Sequence, residues 1–365
     1  MNIDGARKFI DDVKKYLRPV YDAEWRCYHN WSHVERMMGV LRDSGADDFS
    51  EWEWVLVELA VMFHDAVYYP WSKTNEKDSA DYFSHVHFVA GNFVLGISDV
   101  EMVRELILST GRPYQGGDAR LAWLCDKFND ADWNGMGRMD VLDDGYRMWL
   151  NAYEDGIFRE YQMYSVNDYV RGRLDFIEKS RKSGRMTDAV AGHLRSIIQC
   201  RTYNVGLYAG SFNPFHVGHK SILEKAEKIF DKVIVAKGQN PEKPRSMCDL
   251  GRLLPTRETL IYDCMLVDLL HSLGEGPCRV TLVRGIRNGY DLMKESDFIK
   301  YVNAQAVNRG MHPVNVVYIP CDSKYEHVSS SSVRCLPPMD ASEYLVEPWG
   351  YTMPWNFEVS FGSRR

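Results

Sequence analysis

The sequence predicts two domains of different class, an all-α helical bundle followed by an α/β domain built on a parallel sheet. Three observations carry this. At 365 residues the chain is longer than one typical domain and long enough for two cores. Up to about Cys200 apolar residues recur at helical spacing, whereas past Arg201 they come in short runs that end in glycine and alternate with helix-like stretches. The switch, near residues 199–204, has no proline-rich or low-complexity linker, and the chain shows no internal repeat. Domains are therefore expected at 1–200 and 203–336, with an aromatic-rich tail at 337–365.

In the first half the helical stripes are Phe9, Val13, Tyr16, Leu17; then Val34, Met37, Met38, Leu41; then Trp54, Leu56, Val57, Leu59, Ala60, Phe63. Glycine-containing breaks such as "RDSGADD" and "TGRPYQGGD" separate them. In the second half "NVGLYAG", "KVIVAKG", "RVTLVRG" and "NVVYIP" read as strands, with helices at Lys220 to Phe230 and Glu295 to Val307. Strand and helix in alternation make a doubly wound, mostly parallel sheet, whose ligands belong beyond the carboxyl ends of the strands.

Composition narrows the partners. With 45% hydrophobic and 26% charged residues the chain is an ordinary globular one, and a net charge of -7 argues against nucleic acid or an anionic membrane surface. Small anions are the expected ligands, with a local basic pocket for a small phosphate open, and a homo-oligomer is left open; the resemblances given below narrow the ligands to small phosphorylated substrates. The opening "MNIDGARKFIDDVKKYL" lacks the apolar core of a signal peptide and no later segment is apolar enough to span a bilayer, so a cytoplasmic protein is expected. The eight cysteines are scattered without a C-x-x-C pair and read as reduced thiols.

The stretch "YAGSFNPFHVGHKSIL" holds the first candidate site. If Val205 to Tyr208 is a strand, Ala209 to Gly218 is the loop feeding a helix near His219, whose free N–H groups and dipole favour phosphate. Gly210 and Gly218 would let the backbone approach a ligand, and His216 and His219 would bring donors to the same spot. No cysteine or carboxylate lies close by to complete a zinc site. The pair alone reads equally as a helix-capping loop with two surface histidines.

The rest of this half adds direction. "GSFNPFHVGH" is the H-x-G-H signature of the nucleotidyltransferase superfamily, and "FDKVIVAKGQNPEKPR", "MLVDLLHSLGEGPCRVTLVRGIRNGYDLMKE" and "VVYIPCDSKYEHVSSSSVR" follow in the order found in phosphopantetheine adenylyltransferases, which this half resembles. The resemblance implies a Rossmann-like nucleotidyltransferase domain that joins ATP, with Mg²⁺, to a 4′-phosphopantetheine-like acceptor in coenzyme A biosynthesis and releases pyrophosphate. It implies that His216 and His219 contact the ATP phosphates, with Ser211 and Lys243 near the acceptor phosphate. Arg284 and Arg287 would bind acceptor and nucleotide phosphates, and Ser329, Ser330 and Ser331 the β- and γ-phosphates. "SMCDLGRLLPTRETLIYD" matches the family poorly, which keeps the acceptor open. A nicotinamide-nucleotide adenylyltransferase is the nearest alternative.

In the first half "RCYHNWSHVERMM", "VMFHDAVYYP", "NEKDSA" and "FNDADWNGMG" resemble, in this order, the small HD-type metal-dependent phosphohydrolases. The resemblance implies an HD-type bundle holding a divalent metal of open identity through His33, His64, Asp65 and Asp132, with Asp130 the rival for the last place. His29 is then the candidate general acid. Glu76 is a candidate for a metal-bound water or a helix salt bridge. Arg26, Arg171 and Arg173 are candidates for substrate phosphate or plain surface arginines. The chain as a whole reads as bifunctional; a first half that only senses a nucleotide is the alternative.

Overall fold

A computed structural model of the chain describes residues 2–43, 48–89, 94–239 and 248–348. These form two compact units: residues up to Glu160 with Asp175–Ser196, and Tyr161–Leu174 with the residues from Ile197 on.

The first half of the chain folds as α1 (Ile3–Tyr21), α2 (Trp31–Asp43), α3 (Glu51–Phe63), α4 (Asn75–Val89), α5 (Ile97–Ser109), α6 (Ala119–Asp132), α7 (Asp144–Glu160), α8 (Val166–Lys182) and α9 (Asp188–Cys200). Local chemistry sets the starts. The Asn2 side chain accepts the Gly5 N–H at 3.0 Å and caps α1. Ser50 and Glu53 form a reciprocal capping box that opens α3, and Arg120 braces the Glu53 carboxylate at 2.7 Å. The stripes then decide packing. Phe9, Val13 and Leu17 of α1 and Val34, Met37 and Leu41 of α2 enter one core, while α3 is buried at every position from Val55 to Phe63. A stretch this nearly apolar all round is stable only where other elements surround it, and its one charge, Glu58, pairs with Arg7 and Lys14.

The second half folds as β1 (Tyr203–Gly210), α10 (Val217–Ala226), β2 (Lys232–Gly238), α11 (Leu250–Leu253), β3 (Thr259–Tyr262), α12 (Leu266–Leu273), β4 (Cys278–Ile286), α13 (Gly289–Asn308), β5 (Val316–Pro320), α14 (Ser330–Cys335) and α15 (Pro338–Ser342). All strand pairs are parallel, in the order β3-β2-β1-β4-β5. Val205 is in register with Lys232 on one side and Val280 on the other, so β1 is central. Its inner residues are buried on both faces, which is why it reads as a continuous apolar run rather than an alternating one. β3 was not anticipated. Its four residues "TLIY" sit at the sheet edge, half-exposed, in the segment that matched the family poorly.

The segment at 161–174 completes this unit. Lys232, buried at the start of β2, pairs with Glu258 at 3.1 Å and donates to the carbonyls of Gln162 and, at 2.9 Å, Tyr164. The Glu258 N–H donates to the same Gln162 carbonyl at 3.0 Å. A buried ammonium is tolerated because a carboxylate and two carbonyls surround it. Among the described residues no helix is long and apolar enough to cross a membrane.

Candidate functional site

The order in which the strands are added reverses between β1 and β4, and a cavity of about 280 Å³ opens at the carboxyl ends of those strands. Gly210, Ser211, His216, Gly218, His219, Arg284, Arg287, Ser329 and Ser330 all line it. Lys243 lies outside the described residues. Ser331 sits beside the others on α14, where its hydroxyl accepts from Arg334 at 3.1 Å.

The histidines face each other, their rings stacked with centroids 3.7 Å apart. His216 Nδ1 accepts the Gly218 N–H at 3.2 Å, and His219 Nδ1 accepts the His216 N–H at 3.2 Å. A backbone N–H can only donate, so both Nδ1 atoms carry lone pairs and each neutral ring bears its proton on Nε2. Burial, and then the Arg287 charge, push the His216 pKa down to about 4. Burial, with the neighbouring His216, takes His219 well below its usual value. The pair therefore offers two N–H donors in uncharged form.

One sequence expectation changes here. The N-terminus of α10 does not present free amides: Val217 N–H donates to Tyr344 O at 2.9 Å, Gly218 N–H to His216 Nδ1, and the His219 and Lys220 N–H groups to His216 O at 2.8 and 3.1 Å. Both glycines line the cavity, and their Cβ directions are taken up by neighbouring rings. A Cβ on Gly210 would meet the Phe212 ring at 2.9 Å, and one on Gly218 the His216 ring at 3.1 Å. Phe212, at φ +40°, takes a left-handed backbone to place that ring.

The arginines are braced by α13, one turn apart. Arg284 binds Glu295 through Nε (2.6 Å) and Nη2 (2.8 Å) and donates from Nη1 to Ala209 O at 2.7 Å. Arg287 binds Asp291 through Nε (2.6 Å) and Nη2 (3.0 Å) and is the more open of the two, its side chain 36% exposed against 19%. On α14 the Ser329 hydroxyl caps the helix by accepting the Ser332 N–H at 3.0 Å, and Ser330 Oγ donates to Pro214 O at 3.1 Å.

Residues 207–253, from within β1 through α11, match the cytidylyltransferase-like family. A phosphopantetheine adenylyltransferase of Porphyromonas gingivalis is 35% identical over 155 residues, covering 40% of this chain and 95% of that protein. The chain belongs to the phosphopantetheine adenylyltransferase family. Similar proteins of the same name from Kocuria rhizophila (33% identical over 130 residues, 34% of this chain and 80% of that one) and Rhodopirellula baltica (31% over 143 residues, 36% and 74%) agree. The parallel sheet with its cavity at β1 and β4 is the Rossmann-like frame expected of a phosphopantetheine adenylyltransferase.

The first unit carries a second cluster apart from the adenylyltransferase residues. His33 Nε2 lies 3.1 Å from His64 Nε2 and 3.1 Å from Asp132 Oδ1. Asp65 Oδ2 joins at 3.0 Å from His64 Nε2 and 3.7 Å from His33 Nε2. Ligand atoms around a first-row divalent ion, bonded at about 2.0–2.2 Å, stand roughly 3 Å apart, so this donor set fits such an ion. Among the described residues, His33, His64 and Asp132 are the group whose ligand atoms all lie within 4.8 Å of one another. His64 Nδ1–H donates to Val61 O at 2.8 Å, so the neutral ring would turn the Nε2 lone pair toward the cluster; burial opposes the charged ring, but Asp65 and Asp132 outweigh it and raise the His64 pKa well above its usual value. Burial opposes ionisation of Asp65 and Asp132, but His64 outweighs it at Asp65 and the hydrogen bonds from His33 and His64 at Asp132; both carboxyls are held well below their usual range. Asp130 instead pairs with Arg138.

Around the cluster the structure adds residues the sequence did not single out. Glu160, the last residue of α7 and 2% exposed, accepts the Tyr28 and His29 N–H groups at 2.7 and 2.8 Å and binds His29 Nδ1 at 2.5 Å. Arg26 is buried and donates to the carbonyls of His29 (3.2 Å), Asp65 (2.7 Å) and Ala66 (3.0 Å), so it braces backbone rather than lying open for phosphate. In "NEKDSA", Asn75 and Ser79 hydrogen-bond the backbone at Tyr69 and Val67, and Glu76 lies against Gly111. Arg171 pairs with Asp168, and Arg173 is buried; both belong to the 161–174 segment of the second unit.

Proposed function

We propose that the second unit transfers the adenylyl group of ATP to the phosphate of a 4′-phosphopantetheine-like acceptor and releases pyrophosphate. The observation that carries this reading is the pair of neutral imidazoles, each with Nδ1 taken by a backbone N–H, set in one cavity with two guanidinium groups. Family membership supports the acceptor class. An oxygen of the acceptor phosphate attacks the α-phosphorus and forms the new P–O bond. The bond from that phosphorus to the bridging oxygen breaks, and pyrophosphate leaves with the electron pair. His216 and His219 donate from Nε2 to oxygens on which charge grows, which favours the transition state over bound ATP. Arg287 meets the nucleotide phosphates from the open side, and Arg284, fixed on both flanks, orients the acceptor phosphate. Ser211 and Lys243 are assigned to that same phosphate. Mg²⁺, when bound with ATP, supplies charge neutralisation of the triphosphate.

Pyrophosphate release from ATP by the intact chain and by His219→Ala, across acceptors including 4′-phosphopantetheine and nicotinamide mononucleotide, tests this. Release that needs 4′-phosphopantetheine and is lost in the variant is expected. Release with nicotinamide mononucleotide alone would reassign the acceptor, and no release with any acceptor would end the reading.

For the first unit we propose metal-dependent hydrolysis of a phosphate ester or nucleotide, with His33, His64, Asp65 and Asp132 as the ligands. The donor types of all four and the common spacing of His33, His64 and Asp132 support it, with Asp65 Oδ2 3.0 Å from His64 Nε2 and the His29–Glu160 pair beside them. The divalent ion, when bound, supplies a lowered pKa to water and a charge for the phosphate. Burial disfavours the His29 imidazolium, but Glu160 more than compensates, so the His29 pKa is raised. With Nδ1–H on Glu160, the proton on Nε2 is the one delivered to the leaving oxygen. Metal content of His64→Ala beside the intact chain is the test; equal content would remove the ligand assignment.

A further inference from the structure

The end of the described chain holds the H-x-G-H loop at three backbone atoms. Arg334 donates to Asn213 O, and Ser330 Oγ donates to Pro214 O at 3.1 Å. Tyr344 O accepts the Val217 N–H at 2.9 Å, where Leu345 pairs antiparallel with His216. This clamp is itself anchored. Val346 packs against the core beneath the loop, the Tyr344 ring meets His327 edge-on with centroids 5.8 Å apart, and Tyr344 N–H donates to Ala341 O at 3.0 Å.

The consequence runs through the peptide planes to the imidazoles. Fixing Asn213 O, Pro214 O and Val217 N leaves His216 in one extended conformation, φ -129° and ψ 171°. In that conformation the Gly218 N–H reaches its own side chain's Nδ1, and the His216 N–H reaches His219 Nδ1. Each ring is thereby kept as the Nε2–H tautomer. Without the Tyr344 contact the Val217 N–H would be free and the His216 peptide could rotate, releasing both Nδ1 atoms.

We propose that Ser330, Arg334 and the Tyr344–Leu345 segment are positioning residues that set the orientation and tautomer of His216 and His219. This rests on the adenylyl-transfer reading of the same site. Two variants disturb the clamp at different points: a chain ending after Glu343, and Arg334→Ala. Their controls are a chain ending after Glu347, which keeps the bridge, and Arg334→Lys, which keeps the charge.

The expected result is a kcat for pyrophosphate release about 10–100-fold lower in both variants, with KM for ATP little changed. Nitrogen NMR of the histidines should show an Nδ1–H tautomer gained, and Arg334→Lys should recover part of the rate. Unchanged kcat and unchanged tautomers would overturn the proposal, as would a raised KM at constant kcat, which would mark ligand contact instead. If the shortened chain fails to fold, Arg334→Ala decides alone. If the intact chain releases no pyrophosphate, the adenylyl-transfer reading fails, and the tautomer spectra alone uphold or overturn the positioning role.

Discussion

The two histidine pairs of this chain set the same ring against different neighbours. In the second unit His216 and His219 are three residues apart, and each Nδ1 accepts a backbone N–H, so Nε2 donates. In the first unit His33 of α2 and His64, which caps α3, bring their Nε2 atoms 3.1 Å apart, and His64 Nδ1–H donates to Val61 O, so Nε2 is the atom a neutral His64 would offer to a metal. On the roles proposed above, the pair of the second unit suits an anion and that of the first unit a cation. Behind His216, His219 and His64 stands a single backbone group, whereas behind His33 stands a side chain, Arg36 Nη2 at 3.4 Å from Nδ1.

The strongest way to break this contrast is to delete a donor. His219→Ala should lower the rate of pyrophosphate release by about 10²–10³, the usual cost of one preorganised donor to a developing oxyanion. On the other side, His64→Ala should weaken binding of a divalent ion, read by calorimetry with Mn²⁺ or Zn²⁺, at least roughly 100-fold. Loss of even an outer partner of a ligand costs about 10–100-fold. A histidine pair that tolerates either change has been given the wrong role.

Gly218→Ala sharpens the comparison more gently. Its Cβ would stand 3.1 Å from the His216 ring, so the imidazole must give by a few tenths of an ångström. A loss of roughly 10-fold or less in pyrophosphate release, without a change in thermal midpoint, is expected.

Acid is the mildest probe. His216 is held near 4 in the folded chain but titrates near 6.5 when unfolded. Between those values the unfolded state binds the proton and the folded state does not, so the stability contributed by the neutral ring is complete above about 6.5 and declines as pH falls toward 4. Denaturant midpoints at pH 7 and pH 5 should therefore differ more for the intact chain than for His216→Gln.

Much of this was legible in the sequence. β2 and β4 announce themselves because short apolar runs, buried throughout the first five residues of β2 and at Leu282 and Val283 of β4, end in glycine or beside it. The choice between Asp130 and Asp132 turns on helix phase. Two residues apart on α6 they point to different sides, and Asp132 follows the buried Phe128 and Ala131 while Asp130 reaches Arg138. Glu160 was not legible. It lies 131 residues from His29 among other charges, and no local pattern marks a glutamate for burial. The clamp on the H-x-G-H loop was hidden likewise, because a carbonyl such as that of Tyr344 leaves no trace in residue type.

The pocket around Lys232 has a consequence for anyone who would cut this gene in two. A boundary at residue 200 looks natural from the sequence, yet a product beginning there lacks the carbonyls of Gln162 and Tyr164 that receive the Lys232 ammonium. Each lost partner of a buried charged donor costs about 1–3 kcal/mol. The transferase gene should therefore be opened before Tyr161, carrying upstream codons with it. A fragment begun at 203 is expected to melt below the corresponding part of the intact protein.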